Sequence, residues 1–260
     1  MPAAAPSIIA LVPARAGSKR VQNKNIRRLG PHPLLAYTVA AARQSGIFGA
    51  VMVSTDSPLI AEVAQHYGAT VPFLRPAAMA SETSPDIEWL DYTLAQLAGR
   101  GQRYEAFSIL RPTSPFRKPD TIRRAWRQFL DTRGIDSLRA VEKCAQHPYK
   151  MWVLQGDRME PFVRERPTDG GAPWHSRQYQ SLPPVYVQNA SLEIAWSRVV
   201  TELHSISGDV VSPFLTAGDE GFDINNMDEW WLAQHMLASG SGTVPEIAEA
   251  PFHLPEPAAP

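Results

Sequence analysis

Short apolar runs alternating with stretches of helical periodicity leave this chain few folds to choose from. Residues 7–13 (SIIALVP), 50–54 (AVMVS) and 106–110 (AFSIL) are too short for helices and largely apolar throughout, the mark of strands buried on both faces. Between them, apolar residues recur three and four apart. Residues 34–45 read as a helix stopped by Gly46. Ser57-Pro58 opens a second in N-cap and N1 order, with Leu59, Ile60, Val63, Ala64 and Tyr67 at helical spacing. A third begins at Thr83-Ser84-Pro85-Asp86 and aligns Ile87, Leu90, Leu94 and Leu97; a fourth, over 119–130, aligns Ile122, Ala125, Trp126 and Phe129. This rhythm predicts an α/β fold with a mostly parallel, Rossmann-like sheet flanked by helices.

The rhythm breaks after Val141. Residues 148–183 are rich in Pro, Gly, Arg and Trp and carry no long helical pattern, which predicts an inserted arm. Such an arm cannot easily hide Trp152, Phe162 and Trp174 by itself, so a second subunit is expected to cover them and the chain to form a homodimer. The α/β domain (1–147 and 184–238) resumes with strands at 186–188 and 192–195 and a final helix near 228–237. The Gly/Ser then Pro/Ala/Glu tract over 239–260 is expected to be a disordered tail.

Composition narrows the function classes. Lys plus Arg (25) balance Asp plus Glu (26), so no overall basic field exists to drive nucleic-acid binding. No run approaches the ~20 apolar residues of a membrane span, and the first seven residues lack the pattern of a secretory signal. With Cys144 as the single cysteine, a cytoplasmic protein is expected. The seven histidines form no metal-spaced cluster.

Positive charge gathers in one place. The first strand runs into Ala14-Arg15-Ala16-Gly17-Ser18-Lys19-Arg20, followed by Lys24 and Asn25. In an open α/β sheet, ligands bind beyond the carboxyl ends of the strands. A small, flexible turn there can offer backbone N–H groups to phosphates while the flanking cations neutralise them. The spacing is not that of a Walker A loop, which predicts a nucleotide loop of another kind.

At these residues the sequence resembles the acylneuraminate cytidylyltransferases. Beyond the PAR-x-GSKR-x-x-x-KN opening, Val53-Ser54-Thr55-Asp56 with Ile60-Ala61-Glu62 is similar to the family's second strand and helix. Phe73-Leu74-Arg75-Pro76 with Ala80 to Thr83 resembles its base-binding segment. Residues 110–117 (LRPTSPFR) resemble its L-Q-P-T-S-P-L-R loop, and His147-Pro148-Tyr149-Lys150 with Arg177-Gln178 its dimerisation and sugar-binding region. Phe222-Asp223-Ile224-Asn225 stands where the family has D-I-D.

The resemblance implies a nucleotidyltransferase-type fold and transfer of the cytidylyl group of CTP to the anomeric hydroxyl of a sialic-acid-like nonulosonic acid, with release of pyrophosphate. It implies catalytic roles for Arg15, Lys19 and Asp223, with Arg20 flanking the triphosphate. Nucleotide contacts are expected from Ala14, Gly17, Ser18, Lys24, Asn25, Arg75, Ser84 and Asp86, and sugar contacts from Arg111, Arg177, Gln188 and Asn189. Mg²⁺ is expected as cofactor on Asp223 and Asn225, with Asp228 a candidate to compensate for the charge that Asn225 lacks.

Three departures from the family pattern matter. Asn225 replaces an aspartate. Arg111 replaces the usual glutamine and could pair bidentately with a substrate carboxylate. The stretch Asn189-Ala190-Ser191-Leu192-Glu193 replaces N-G-A and an aromatic or apolar strand, adding a carboxylate whose purpose the sequence leaves open. An eight-carbon ulosonic acid as acceptor, or a nucleotide-binding module without turnover, are the alternative readings.

Overall fold

The computed structural model describes residues 5–254, and the chain divides into two compact units, 1–140 with 189–260, and 141–188. In chain order the first unit begins with β1 (Ile8–Pro13), a tight β2–β3 hairpin (Arg28–Leu29, His32–Pro33), α1 (Leu34–Ser45), β4 (Ala50–Ser54) and α2 (Pro58–His66). It continues with α3 (Asp86–Gly99), β5 (Ala106–Ile109), α4 (Pro119–Asp131) and β6 (Ser137–Lys143). The second unit holds the β7–β8 hairpin (Trp152–Gln155, Arg158–Pro161). The chain returns along β9 (Tyr186–Trp196) and closes with α5 (Ser197–Thr201), β10 (Val211–Leu215) and α6 (Met227–Ser239).

Among the described residues the main sheet has six strands in the order β10-β6-β9-β5-β1-β4. The expected mostly parallel sheet is present: β1 lies parallel to both β4 and β5, while β9 runs antiparallel to β5. The period of two along β1 sorts its side chains between two cores. Ile8, Ala10 and Val12 pack with α1, α2 and α4, whereas Ile9 and Leu11 pack with Phe107, Ile109 and the Trp89, Leu90, Leu94 and Leu97 face of α3. A third cluster seats Trp230 and Ala233 of α6 against Leu34, Tyr37 and Phe116. Caps form where the sequence placed them: Ser57 Oγ accepts from Ile60 N–H at 3.3 Å, with Pro58 at the first helical position.

Several expectations need correcting. The strands foreseen at 186–188 and 192–195 are one continuous β9, because Asn189 and Ser191 are buried in the ladder rather than looped out. Asp228, the candidate to make up the charge that Asn225 lacks, is exposed in the first turn of α6, a helix capped by Asn226 in a reciprocal box with Glu229. The tail is not disordered over 240–254. Val244, Ile247, Phe252 and Leu254 pack on the cores, His66 Nε2 bonds Ala250 O at 2.7 Å, and Phe252 N–H donates to Tyr67 Oη at 3.0 Å. Apolar residues spaced through a polar tract hold the strap, a pattern that composition conceals. Residues 255–260 of the tail lie outside the described residues.

In the second unit, Trp174 stacks on Tyr149 with ring centroids 4.8 Å apart, and the Arg177 guanidinium lies over the same indole. Leu154 and Phe162 stay 75% and 62% exposed, so this unit leaves these large apolar side chains uncovered.

Candidate active site

The basic loop after β1 is pinned at both ends. Ala14 N–H donates to Ser54 O at 2.9 Å, and Ala16 N–H to Asp56 Oδ1 at 2.8 Å. Farther on, Asn25 Nδ2 donates to Arg15 O at 2.9 Å and Lys24 Nζ to Ile224 O at 2.9 Å. Between the pins Gly17 turns with φ +71°, a region open to glycine at little cost. The N–H groups of Ala14 and Ala16 are thus engaged within the protein. Asp56 is the residue that fastens the loop.

Beyond the ends of β1 and β5 lies a cleft of about 240 Å³. Arg15, Ser18, Lys24 and Asn25 line one part of it, and Arg75, Ser84, Asp86, Trp89 and Arg111 another. A second hollow on the same loop is lined by Arg15, Lys19, Arg20 and Lys24, with Glu82 as its acid. Lys19 projects into solvent, 77% exposed, and among the described residues pairs only with Glu82, at 3.0 Å. Four cations gather at this end of the site, and Glu82 is the acid that lines the hollow with them.

The other end is flat and partly aromatic. Arg75 bonds Ser54 Oγ and Ser54 O at 3.1 and 3.0 Å, and its guanidinium lies 4.7 Å from the Trp89 ring centroid. Burial pulls its pKa down to about 10, against the pull of Asp86 and Asp56. Its hydrogen bonds thus go to Ser54 rather than to a carboxylate. Ser84 Oγ closes a small turn by donating to Ala78 O. Asp86, first residue of α3, accepts from Trp89 Nε1 at 2.7 Å and from Arg111 Nη2 at 2.5 Å. Burial pushes this carboxyl up, but Arg111, Trp89 and Arg75 together outweigh it and hold Asp86 below the usual carboxylate range.

Arg111 is engaged on two carboxylates. Its Nη2 bonds both Asp86 and Glu193, the latter at 3.1 Å. Both bidentate edges of a guanidinium include Nη2, since the Cδ carbon blocks the third. With both Nη2 protons committed, Arg111 has no fork left for a substrate carboxylate. Its Nε and Nη1 protons can still make single bonds.

Asp223 precedes α6, and its charge acts on Lys24 and Arg117. Its Oδ2 accepts from Asn225 Nδ2 at 2.8 Å, while Oδ1 is buried without a hydrogen-bond partner. Asn225 thus orients the aspartate through its amide nitrogen. Burial lowers the Lys24 pKa, and Asp223 offsets this in part.

The remaining residues fall elsewhere. Arg177 belongs to the second unit, where it forms a two-pronged ion pair with Asp169. Gln188 is exposed at the start of β9, and Asn189 is buried with its amide donating to Thr216 Oγ1. Sequence reasoning assigned nothing to Arg117, which is wholly buried and bonds Ser191 O, Thr38 Oγ1 and Arg111 O. It also assigned nothing to Trp89, or to Arg139, which pairs with Glu193 at 2.8 Å. The signal for Arg117 was a second arginine, after Arg111, in a short proline-rich loop between a buried strand and a helix.

Comparison with known proteins agrees with this geometry. A family model described as Cytidylyltransferase matches residues 9–133. The CMP-N,N'-diacetyllegionaminic acid synthase of Legionella pneumophila is 34% identical over 235 residues, covering 88% of this chain and 96% of the relative. The N-acylneuraminate cytidylyltransferase of Escherichia coli O18:K1:H7 is 44% identical over 110 residues, 42% of this chain and 25% of that protein. Among solved structures, a CMP:2-keto-3-deoxy-manno-octonic acid synthetase complexed with CTP has the same fold, with a TM-score of 0.64 at 11% identity over 90% of this chain and 99% of that one. Matched almost end to end by one such relative, with the basic loop and cleft in place, the chain belongs to the cytidylyltransferase family and is an enzyme of the CMP-sialic-acid synthetase type.

Proposed function

We propose that the enzyme transfers the cytidylyl group of CTP to the anomeric hydroxyl of a nonulosonic acid of the sialic, legionaminic or pseudaminic kind, releasing pyrophosphate. The observation that carries this reading is the two-ended cleft, with phosphate-binding cations on one side and a stacked Arg75–Trp89 wall on the other. In-line attack on the α-phosphorus needs alignment and charge stabilisation more than covalent help from the protein. Arg15, Lys19 and Lys24 neutralise the triphosphate and the departing pyrophosphate, Arg20 flanks them, and Ser18 and Asn25 line the path between. Arg75, Ser84 and Asp86 form the base end.

An eight-carbon acceptor is not favoured. The relative matched along its length is named for a nonulosonic acid, whereas the octonic acid enzyme shares only the fold. Loss of turnover is not favoured either, since the loop cations are all present.

Mg²⁺ fits the residues at hand. Asp223 Oδ1 is a buried carboxylate oxygen lacking a partner, the kind of hard donor this ion takes. No group of three or more His, Cys, Asp or Glu side chains is placed to hold a metal among the described residues, so Asp223 would share the ion with substrate phosphates. Bound there, it would add positive charge to the phosphate chain. A homodimer built on the second unit is supported by the exposed Leu154, Met159 and Phe162. A cytoplasmic location is supported by the lone free Cys144.

The test is pyrophosphate release from each of the four NTPs with a panel of nonulosonic and octulosonic acids. Turnover with CTP and a nine-carbon acid is the expected result; turnover with another nucleotide alone would overturn the reading. Lys24 adds a pH signature. Its depressed pKa means that the free enzyme loses the ammonium below the ordinary lysine range, whereas bound CTP favours it. CTP affinity should therefore decline as pH rises through the lowered Lys24 pKa, and Lys24→Arg should flatten that decline in calorimetric titrations.

A further inference from the structure

Glu193 is a buried acid that does not reach the cleft, yet it is wired to it. Its side chain is 6% exposed on β9, between two guanidiniums: Arg139 of the neighbouring β6 at 2.8 Å and Arg111 at 3.1 Å. Arg111 lines the cleft and reaches on to Asp86 at 2.5 Å, and Asp86 is also gripped by the Trp89 indole. The result is a chain of alternating charge, Arg139–Glu193–Arg111–Asp86, running from the sheet interior to the cleft wall. A buried carboxylate is costly unless its partners are well placed. Here the partners fix the position of a side chain two links away.

That side chain faces a choice between bases. A carboxylate has about four lone-pair sites, and the bonds from Trp89 and Arg111 occupy one on each oxygen of Asp86. An ionised, oriented Asp86 can accept from the exocyclic amine of cytosine and repels the carbonyl that uracil carries at the same place. Without Glu193, the Nη2 proton it holds would be released. Arg111 would regain a bidentate edge and swing toward the nearest anion in the cleft.

We propose that Glu193 is a positioning residue for base selection, acting through Arg111 to hold Asp86 where the cytosine amine is read. The proposal rests on the reading of the cleft as a CTP site with Asp86 at its base end.

The test measures CTP and UTP binding to the full chain by calorimetry without acceptor, alongside melting temperature. Wild type should prefer CTP, and Glu193→Gln should lower the CTP/UTP preference about tenfold, the scale of one charged hydrogen bond. Arg111→Gln, at a more exposed position and less demanding of the fold, should lower it similarly. The double variant should lose no more than either single one, because both act through the same carboxylate. A Glu193→Gln protein that melts lower but keeps its preference would make Glu193 merely structural and overturn the proposal, as would fully additive losses. If Glu193→Gln does not fold, an Arg111→Gln protein that keeps the wild-type preference overturns it equally. A wild type that binds both nucleotides alike would instead sink the reading of the cleft itself.

Discussion

Lys19→Ala is expected to lower kcat about 10²- to 10³-fold, the usual loss when one preorganised donor to transition-state charge is removed, while the melting temperature barely moves. The two effects separate because of where Lys19 sits. Its side chain is 77% exposed and its one ion pair, with Glu82, joins two solvated groups at 3.0 Å. Pairs of this kind contribute roughly 0–1 kcal/mol. The fold has almost nothing to lose at this position.

The reaction does. Lys19 shares its hollow with Arg15, Arg20 and Lys24, and Glu82 is the acid that lines it with them. As pyrophosphate departs, its growing charge meets these cations, and a flexible ammonium can follow the moving oxygens. Steady-state kinetics with CTP and a thermal melt on the same preparation decide the matter. A parallel fall in rate and melting temperature would make Lys19 a structural residue and remove the loop from the mechanism.

How much of this was legible beforehand depended on the range of the interactions involved. Strands β1, β4 and β5 and helices α1 to α4 were readable because their signals are local: apolar runs, helical spacing, and Ser57-Pro58 at a helix start. The basic loop was readable because its charge is contiguous in sequence. The strap over 244–254 was not, since its few apolar residues gain meaning only when they meet α1 and α2, some two hundred positions earlier. Nor could sequence show that Arg111 is already committed. Its carboxylates come from positions 25 residues before it and 82 after it, and only folding makes them neighbours. Motif resemblance marked position 111 as unusual and suggested a free fork; the three-dimensional pairing reassigns it.

Replacing Arg117 should produce the largest loss of stability. Arg117→Met removes a side chain with 1% exposure whose guanidinium ties three elements together. Its Nη2 donates to Thr38 Oγ1 of α1 at 2.8 Å, and Nη1 donates to Ser191 O of β9 and to Arg111 O in the loop after β5. Methionine fills much of the same volume, so the cavity term is small and the lost bonds dominate. Each abandoned buried acceptor costs about 1–3 kcal/mol. Relief from desolvating the cation returns a part of that, because its nearby opposite charge, Asp223, makes no direct ion pair with it. A net loss of about 3 kcal/mol is expected, which for a chain of this size lowers the melting temperature by about 6–12 °C. Arg117→Lys should rescue little, since an ammonium cannot span three acceptors on separate elements as a planar fork does. The loop that Arg117 anchors carries Arg111 and Thr113 into the cleft, so residual activity should fall in both variants even below their melting points. A methionine variant melting within 2 °C of wild type, well inside that ~3 kcal/mol expectation, would show that the three elements hold together without the guanidinium.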